Sequence, residues 1–256
     1  MLTTETVTRS RTSRTDIAVA RVGGRLRVEL AADAAAERPV LRPMLVGTDH
    51  DRARIALVPD GALLLAGDHI EVRIRVGPGA CLDLLEPSGT VAYDMRGGAA
   101  RWDVDVHLDR GAGLVWRGEP FVVAAGADVR RRTRITLGAG ARLAMRETLV
   151  LGRYAEPAGR IGQRLDVARA DETPVLVEEV RLDETCLPLL TGGRRVLGTV
   201  LAHGIAVPGP AGPDRFDLEP AGDASVTLLR RLDDHAHSAV DAATWRRVAS
   251  AVLDAP

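Results

Sequence analysis

The chain reads as a mostly β protein built from stacked strand-turn-strand repeats, solenoid-like or sandwich-like, and closed by one C-terminal α-helix. Three observations predict this. Glycine (26) and proline (14) punctuate the 256 residues, and helical periodicity is scarce before the last twenty positions. Several segments alternate apolar and polar residues, the pattern of a strand with one wet face. Glycine turns then recur at nearly constant spacing, the signature of a repeated supersecondary unit.

Taken in order, Met1 to Thr15 is rich in Thr, Ser and Arg and lacks the apolar core of a secretory signal, so residues 1–15 are expected to be disordered. Ile70, Val72, Ile74 and Val76 alternate with His69, Glu71, Arg73 and Arg75. Trp102, Val104, Val106 and Leu108 are separated by Asp103, Asp105 and His107. Val129, Arg131, Thr133, Ile135 and Leu137 enclose Arg130, Arg132, Arg134 and Thr136. Each of these strands runs through a glycine turn into a second apolar strand. Aligned on Gly79, Gly111 and Gly140, the turns lie 32 and 29 residues apart. Pro208-Gly209-Pro210-Ala211-Gly212-Pro213 is a loop too short to divide domains. Ser238 and Asp241 resemble a capping box opening a terminal helix over residues 238–253, with Val240, Thr244, Val248 and Val252 at i, i+4 spacing beside Trp245. An even composition along residues 1–256 supports a single domain.

Composition excludes several functions. The 34 basic residues are all arginine, and without a lysine amine there is no P-loop, Schiff-base or Ser-Lys chemistry. A formal charge of −1 gives no global attraction to nucleic acid or an anionic membrane. No apolar run reaches the roughly 18 residues of a membrane span. Only Cys81 and Cys186 occur, far apart, which fits a reduced, cytoplasmic setting. There is no G-x-S-x-G elbow, and Ser88 reads as a turn residue. No catalytic group and no tightly bound cofactor is predicted.

Strand parity singles out three carboxylates. Asp68 shares a face with Ile70 and Val72, Glu86 with Leu82 and Leu84, and Glu147 with Leu143 and Met145. An unpaired carboxylate turned inward would be costly, so each must be paired, sit at a wet strand end, or line a hydrated passage. Arg131, inward by the same count, is the obvious counter-ion. A passage lined by carboxylates would bind a divalent cation labilely enough to let it leave. The other candidate metal residues are His235 and His237, near Asp241, a spacing with a superficial cupin likeness. His50, His69, His107 and His203 stand singly and default to surface or hydrogen-bonded roles. Arg130, Arg132 and Arg134 form an outward stripe, either a solvated strand face or a surface for an acidic partner.

Three strings carry a family resemblance: Ala56 to Asp68 (ALVPDGALLLAGD), the turn Gly77-Pro78-Gly79-Ala80, and Met145 to Arg153 (MRETLVLGR). In order and spacing they resemble the urease accessory protein UreD (UreH) family, over Leu41 to Arg181 and more weakly around Trp245. The chain keeps only Gly67 before Asp68, and has no lysine between Glu86 and Asp94, which marks a divergent, actinobacterial-like branch. The resemblance implies a β-rich chaperone of nickel insertion that binds the UreF and UreG accessory proteins and the urease apoprotein, and gives nickel, the transported ion, a path. UreG would supply the GTP hydrolysis that this lysine-free chain cannot. Asp68, Glu86 and Glu147 would then belong to that path, with Arg131, Arg153 and Tyr93 lining it or serving as counter-ions. The alternatives are a cupin-like or β-solenoid metal enzyme acting on a small polar substrate, and a structural β protein with no metal role.

Overall fold

A computed structural model describes residues 10–34, 40–207, 209, 212–218 and 224–255. Strands make up 55% of the described residues and helices 9%, which places the chain in the mostly β class that the turns and alternation predict. The chain opens with β1 (Thr12–Val22), β2 (Arg25–Ala34), β3 (Leu41–Thr48) and β4 (Arg52–Pro59). The repeats follow as β5 (His69–Val76), β6 (Cys81–Leu85), the short β7 (Thr90–Ala92), β8 (Ala100–Leu108) and β9 (Gly113–Arg117). They continue through β10 (Phe121–Val123), β11 (Asp128–Leu137), β12 (Arg142–Leu151), β13 (Arg160–Arg169) and β14 (Pro174–Leu182). After α1 (Leu187–Thr191) come β15 (Val196–His203), β16 (Arg215–Leu218), β17 (Val226–Asp233), α2 (Ala236–Ala239) and α3 (Ala242–Leu253).

Successive repeats deliver strands alternately to two facing sheets. The first sheet has the order β14-β13-β11-β8-β5-β1-β2, and the second runs β16-β17-β15-β12-β9-β6-β4-β3, with β7 and β10 paired beside β12. The strands contributed by neighbouring coils are parallel: β5 with β8, β8 with β11, β6 with β9, and β9 with β12. This is the geometry of a solenoid. The turns explain its repeat, because Gly79, Gly111 and Gly140 take φ of 62°, 65° and 68°, a left-handed conformation in which a Cβ would be strained.

The two sheets differ in what covers them. Between them lies a core of Ile70, Ile74, Leu82, Leu84, Leu108, Leu114, Ile135 and Leu143, all essentially inaccessible. The outer face of the first sheet is wet, so β5, β8 and β11 alternate. The outer face of the second sheet is covered by α3, where Trp245, Val248, Ala249 and Val252 pack on Cys81, Val115, Ala144, Val200 and Ala202.

Three boundaries differ from expectation. The chain from Thr12 is strand, with Ser13 and Thr15 buried against the first coil, so of the segment expected to be disordered only residues 1–9 lie outside the described residues. The terminal helix begins at Ala242, because Asp241 is its N-cap and accepts from the Thr244 amide at 2.6 Å; Ser238 belongs to the separate α2. Of the Pro/Gly loop, Pro208, Pro210 and Ala211 lie outside the described residues.

Candidate functional site

One transverse layer of polar side chains interrupts the apolar filling between the sheets. On the first sheet, Trp102, Arg131, Gln163 and Val180 stand in register across β8, β11, β13 and β14. On the second, Glu147, Thr199 and Arg230 stand in register across β12, β15 and β17. Because side chains alternate along a strand, these positions share the inward face with the core residues two places away.

Arg131 joins the layers. Its Nη2 donates to Glu147 Oε1 at 3.0 Å and its Nη1 to Gln163 Oε1 at 3.2 Å, while Gln163 Nε2 donates to Glu147 Oε2 at 2.9 Å. The ion pair is largely shielded, with 11% and 17% of the two side chains exposed. The Arg131 guanidinium also lies 4.6 Å from the Phe121 ring centroid, a cation–π contact, and Trp102 meets Phe121 edge-on at 6.1 Å. On one side stands Glu86, which accepts from Trp116 Nε1 at 2.8 Å and the Glu119 amide at 3.1 Å. On the other, Glu178 takes a two-pronged bond from Arg230.

Two small voids flank the Arg131–Glu147 pair, each of about 20 Å³. One lies toward Glu86 and Trp116, the other toward Glu178, Thr199 and Arg230. A void of this size holds about one water. Trp102 Nε1, Arg131 Nε and Arg230 Nε are buried around them with no acceptor among the described residues, and buried donors of that kind call for a solvent partner. The layer is therefore a polar seam through a largely apolar core, with room for about one water on either side of the Arg131–Glu147 pair.

Burial pushes the Glu86 carboxyl above the usual carboxylate range and the nearby Glu147 charge adds to the rise; the bonds from Trp116 and Glu119 and the charge of Arg131 oppose it. A carboxyl raised on folding leaves the folded state most favoured while it is protonated, and that advantage is lost as pH climbs from the unfolded pKa through the folded one. The difference in unfolding free energy between wild type and Glu86→Ala is accordingly expected to shrink as pH rises from about 4.3 toward neutrality, measured by urea titration at each pH. A difference that grows over that interval would contradict the placement of Glu86.

Asp68 is elsewhere. It is buried at the start of β5 and fully engaged, taking Arg11 Nε at 2.7 Å, a second bond from Arg11 Nη2, and the Leu65 amide at 2.7 Å. It lines neither void. Arg153 is exposed and pairs with Glu156 at 2.8 Å, near Tyr93, so these two are not brought into the seam. His235 and His237 stack at 5.5 Å on the exposed surface, and Asp241 is occupied as a helix cap, so the cupin-like arrangement is not formed. Among the described residues no group of three or more His, Cys, Asp or Glu side chains could hold a metal ion.

Other residues depart from their expected roles. His203 is buried, where desolvation holds its pKa below the usual value, and its Nδ1 has no partner. Asp83 is fully buried on the outer face of the second sheet, between Arg54 Nε at 3.0 Å and Arg117 Nε at 2.7 Å. Parity alone assigns it to solvent, because no sequence signal tells that this face is covered. Glu178, Arg230, Gln163 and Thr199 were also not singled out, though Gln163 and Thr199 alternate with apolar neighbours as Glu147 does.

Comparison with known proteins adds to this geometry. A family model described as UreD urease accessory protein matches residues 10–253, well beyond the stretch carried by the three sequence strings. A urease accessory protein UreD 1 of Streptomyces griseus is 48% identical over 191 residues, 73% of this chain and 73% of that protein. A urease accessory protein UreD of Frankia alni is 35% identical over 224 residues, covering 78% and 73%, and one of Streptomyces coelicolor is 34% identical over 215 residues, covering 74% and 82%. Among the described residues no helix is long and apolar enough to cross a membrane.

Proposed function

The chain belongs to the UreD family of urease accessory proteins, and from that premise we propose that it matures urease as a cytoplasmic scaffold, binding the UreF and UreG accessory proteins and the urease apoprotein while nickel crosses its own interior. Family members are accessory proteins and not enzymes. The observation that carries the nickel path is the seam: Glu86, Glu147 and Glu178 supply oxygen donors at intervals through a largely apolar core.

The chemistry of these donors suits transit. Oxygen ligands from carboxylate, amide and water hold a divalent cation less tightly than a thiolate cage, so an ion that enters can leave. Each carboxylate already has a protein donor, which keeps the path closed and satisfied at rest. A cation arriving beside Glu147 replaces the Arg131 charge, and the displaced guanidinium can lean further onto the Phe121 ring that it already contacts. Gln163 and Thr199 offer neutral oxygens at the same level.

The test is reconstitution of nickel-free urease with UreF, UreG, GTP and nickel, with and without this chain. Urease is expected to gain nickel and activity when the chain is present and to gain neither when it is omitted. Equal nickel incorporation in both mixtures overturns the proposal.

A further inference from the structure

A glycine inside a strand weakens it and is kept where another backbone or a ligand comes close. Gly198 on β15 obeys this rule: a Cβ there would stand 2.2 Å from the Ala239 carbonyl oxygen, because α2 lies on it. Gly162 on β13 occupies the same kind of position in the other sheet. It pairs in register with Arg130 on one side and Arg181 on the other, with no bulge at that point, and its φ is not in the left-handed region. Nothing approaches within 4 Å of the place its Cβ would take. Neither its conformation nor any contact among the described residues accounts for it.

Above Gly162 the wet face of the first sheet carries an open groove of about 480 Å³. Its walls are Arg130 and Arg181, with Arg160 at one end and Arg164 at the other. Arg160 is paired with Asp128, Arg164 is paired with Asp166, and Arg164 and Arg181 share Glu179. Asp183, the remaining acid of the groove, accepts the amides of Thr185 and Cys186. Arg130 is exposed and has no acidic partner among the described residues, unlike Arg132 and Arg134 of the same stripe, which pair with Asp166 and Asp105. Arg160 and Arg181, 63% and 79% exposed, are free to turn toward an incoming anion.

The geometry points to a docking groove for an acidic segment of a protein partner, whose backbone passes over Gly162 while its carboxylates meet Arg130 and the arginines beside it. The groove lies on the opposite face of the sheet from the seam, and the inference goes beyond the nickel path without depending on it.

The experiment titrates a fluorescently labelled hexaglutamate peptide into the full chain at low salt, with inorganic phosphate as competitor. Saturable binding is expected, weakened at least tenfold by Gly162→Val and by Arg130→Gln and lost as salt is raised. Valine suits a strand and meets open space here, so the Tm of Gly162→Val should be unchanged or slightly higher, separating loss of the groove from loss of the fold. No binding by wild type, or unchanged binding by Gly162→Val, overturns the inference. Displacement of the peptide by an equal concentration of phosphate also overturns it, in favour of a site for a free oxyanion.

Discussion

Arg131→Met is expected to destabilise the protein by about 3 kcal/mol and to reduce urease activation by more than tenfold. Removing one partner of a shielded ion pair leaves the other charge uncompensated, at about 3–5 kcal/mol when the pair is well buried. The lower end applies here, because Gln163 still donates to Glu147 and the flanking voids admit water. Without the guanidinium, Glu86 and Glu147 also face each other with no cation between them. Urea denaturation reads the first effect and nickel incorporation the second. A variant as stable as wild type would show that the Arg131–Glu147 pair is not the keystone of the layer.

Asp68→Ala is expected to cost a similar amount, about 3–5 kcal/mol, for a different reason. Asp68 staples the entry of the chain to its first coil: Arg11 immediately precedes β1, its carbonyl accepts from the His69 amide at 2.8 Å, and Ser10 bonds Gly67 O at 2.8 Å. Truncation would orphan the Leu65 amide and leave the Arg11 guanidinium without its counter-ion, holding only its bond to the Ala62 carbonyl at 3.0 Å. The expected loss of urease activation follows the loss of folded protein, and no more. Asp68→Asn keeps an oxygen for one of these donors and should recover part of the stability together with a matching part of the activation. An Asp68→Asn protein that is fully stable and fails to deliver nickel would place this carboxylate on the path after all.

The repeat was legible because its cause is local. Gly79, Gly111 and Gly140 are demanded by their own left-handed turns, so their spacing survives in the sequence. A second set, Gly67, Gly97 and Gly126, takes φ of 82°, 86° and 75° at the opposite ends of the same coils and could have been found by the same alignment. The three alternating segments turned out to be β5, β8 and β11, all in the sheet with a wet outer face. The strands under α3 are buried on both faces, β9 as Gly113-Leu114-Val115-Trp116 and β6 with even Asp83 enclosed, so parity does not tell their inner face from their outer one.

The same limit explains the site. Glu147 and Arg131 lie mid-strand, where parity is strict, and they meet as the count required. Glu86 lies just past the end of β6 and still faces the seam. Asp68 has the right parity and the wrong neighbours, because its partner Arg11 comes from 57 positions away in a segment with no sequence signature of a strand end. Glu178 and Arg230 meet only because β13, β14, β15 and β17 close the far side of the seam by long-range pairing, which no local pattern announces.

Stability and transit can be separated within the Arg131–Glu147 pair itself. Replacing both partners of a buried ion pair by apolar side chains of similar volume is often neutral or stabilising, so Arg131→Met combined with Glu147→Leu should fold within about 1 kcal/mol of wild type while making the middle of the seam dry. The decisive measurement is the nickel content of urease matured with this double variant in an otherwise complete mixture, at equal amounts of assembled complex. A hydrated passage through the core predicts less than a tenth of the wild-type nickel; urease that emerges fully loaded would mean that the ion never travels between the sheets.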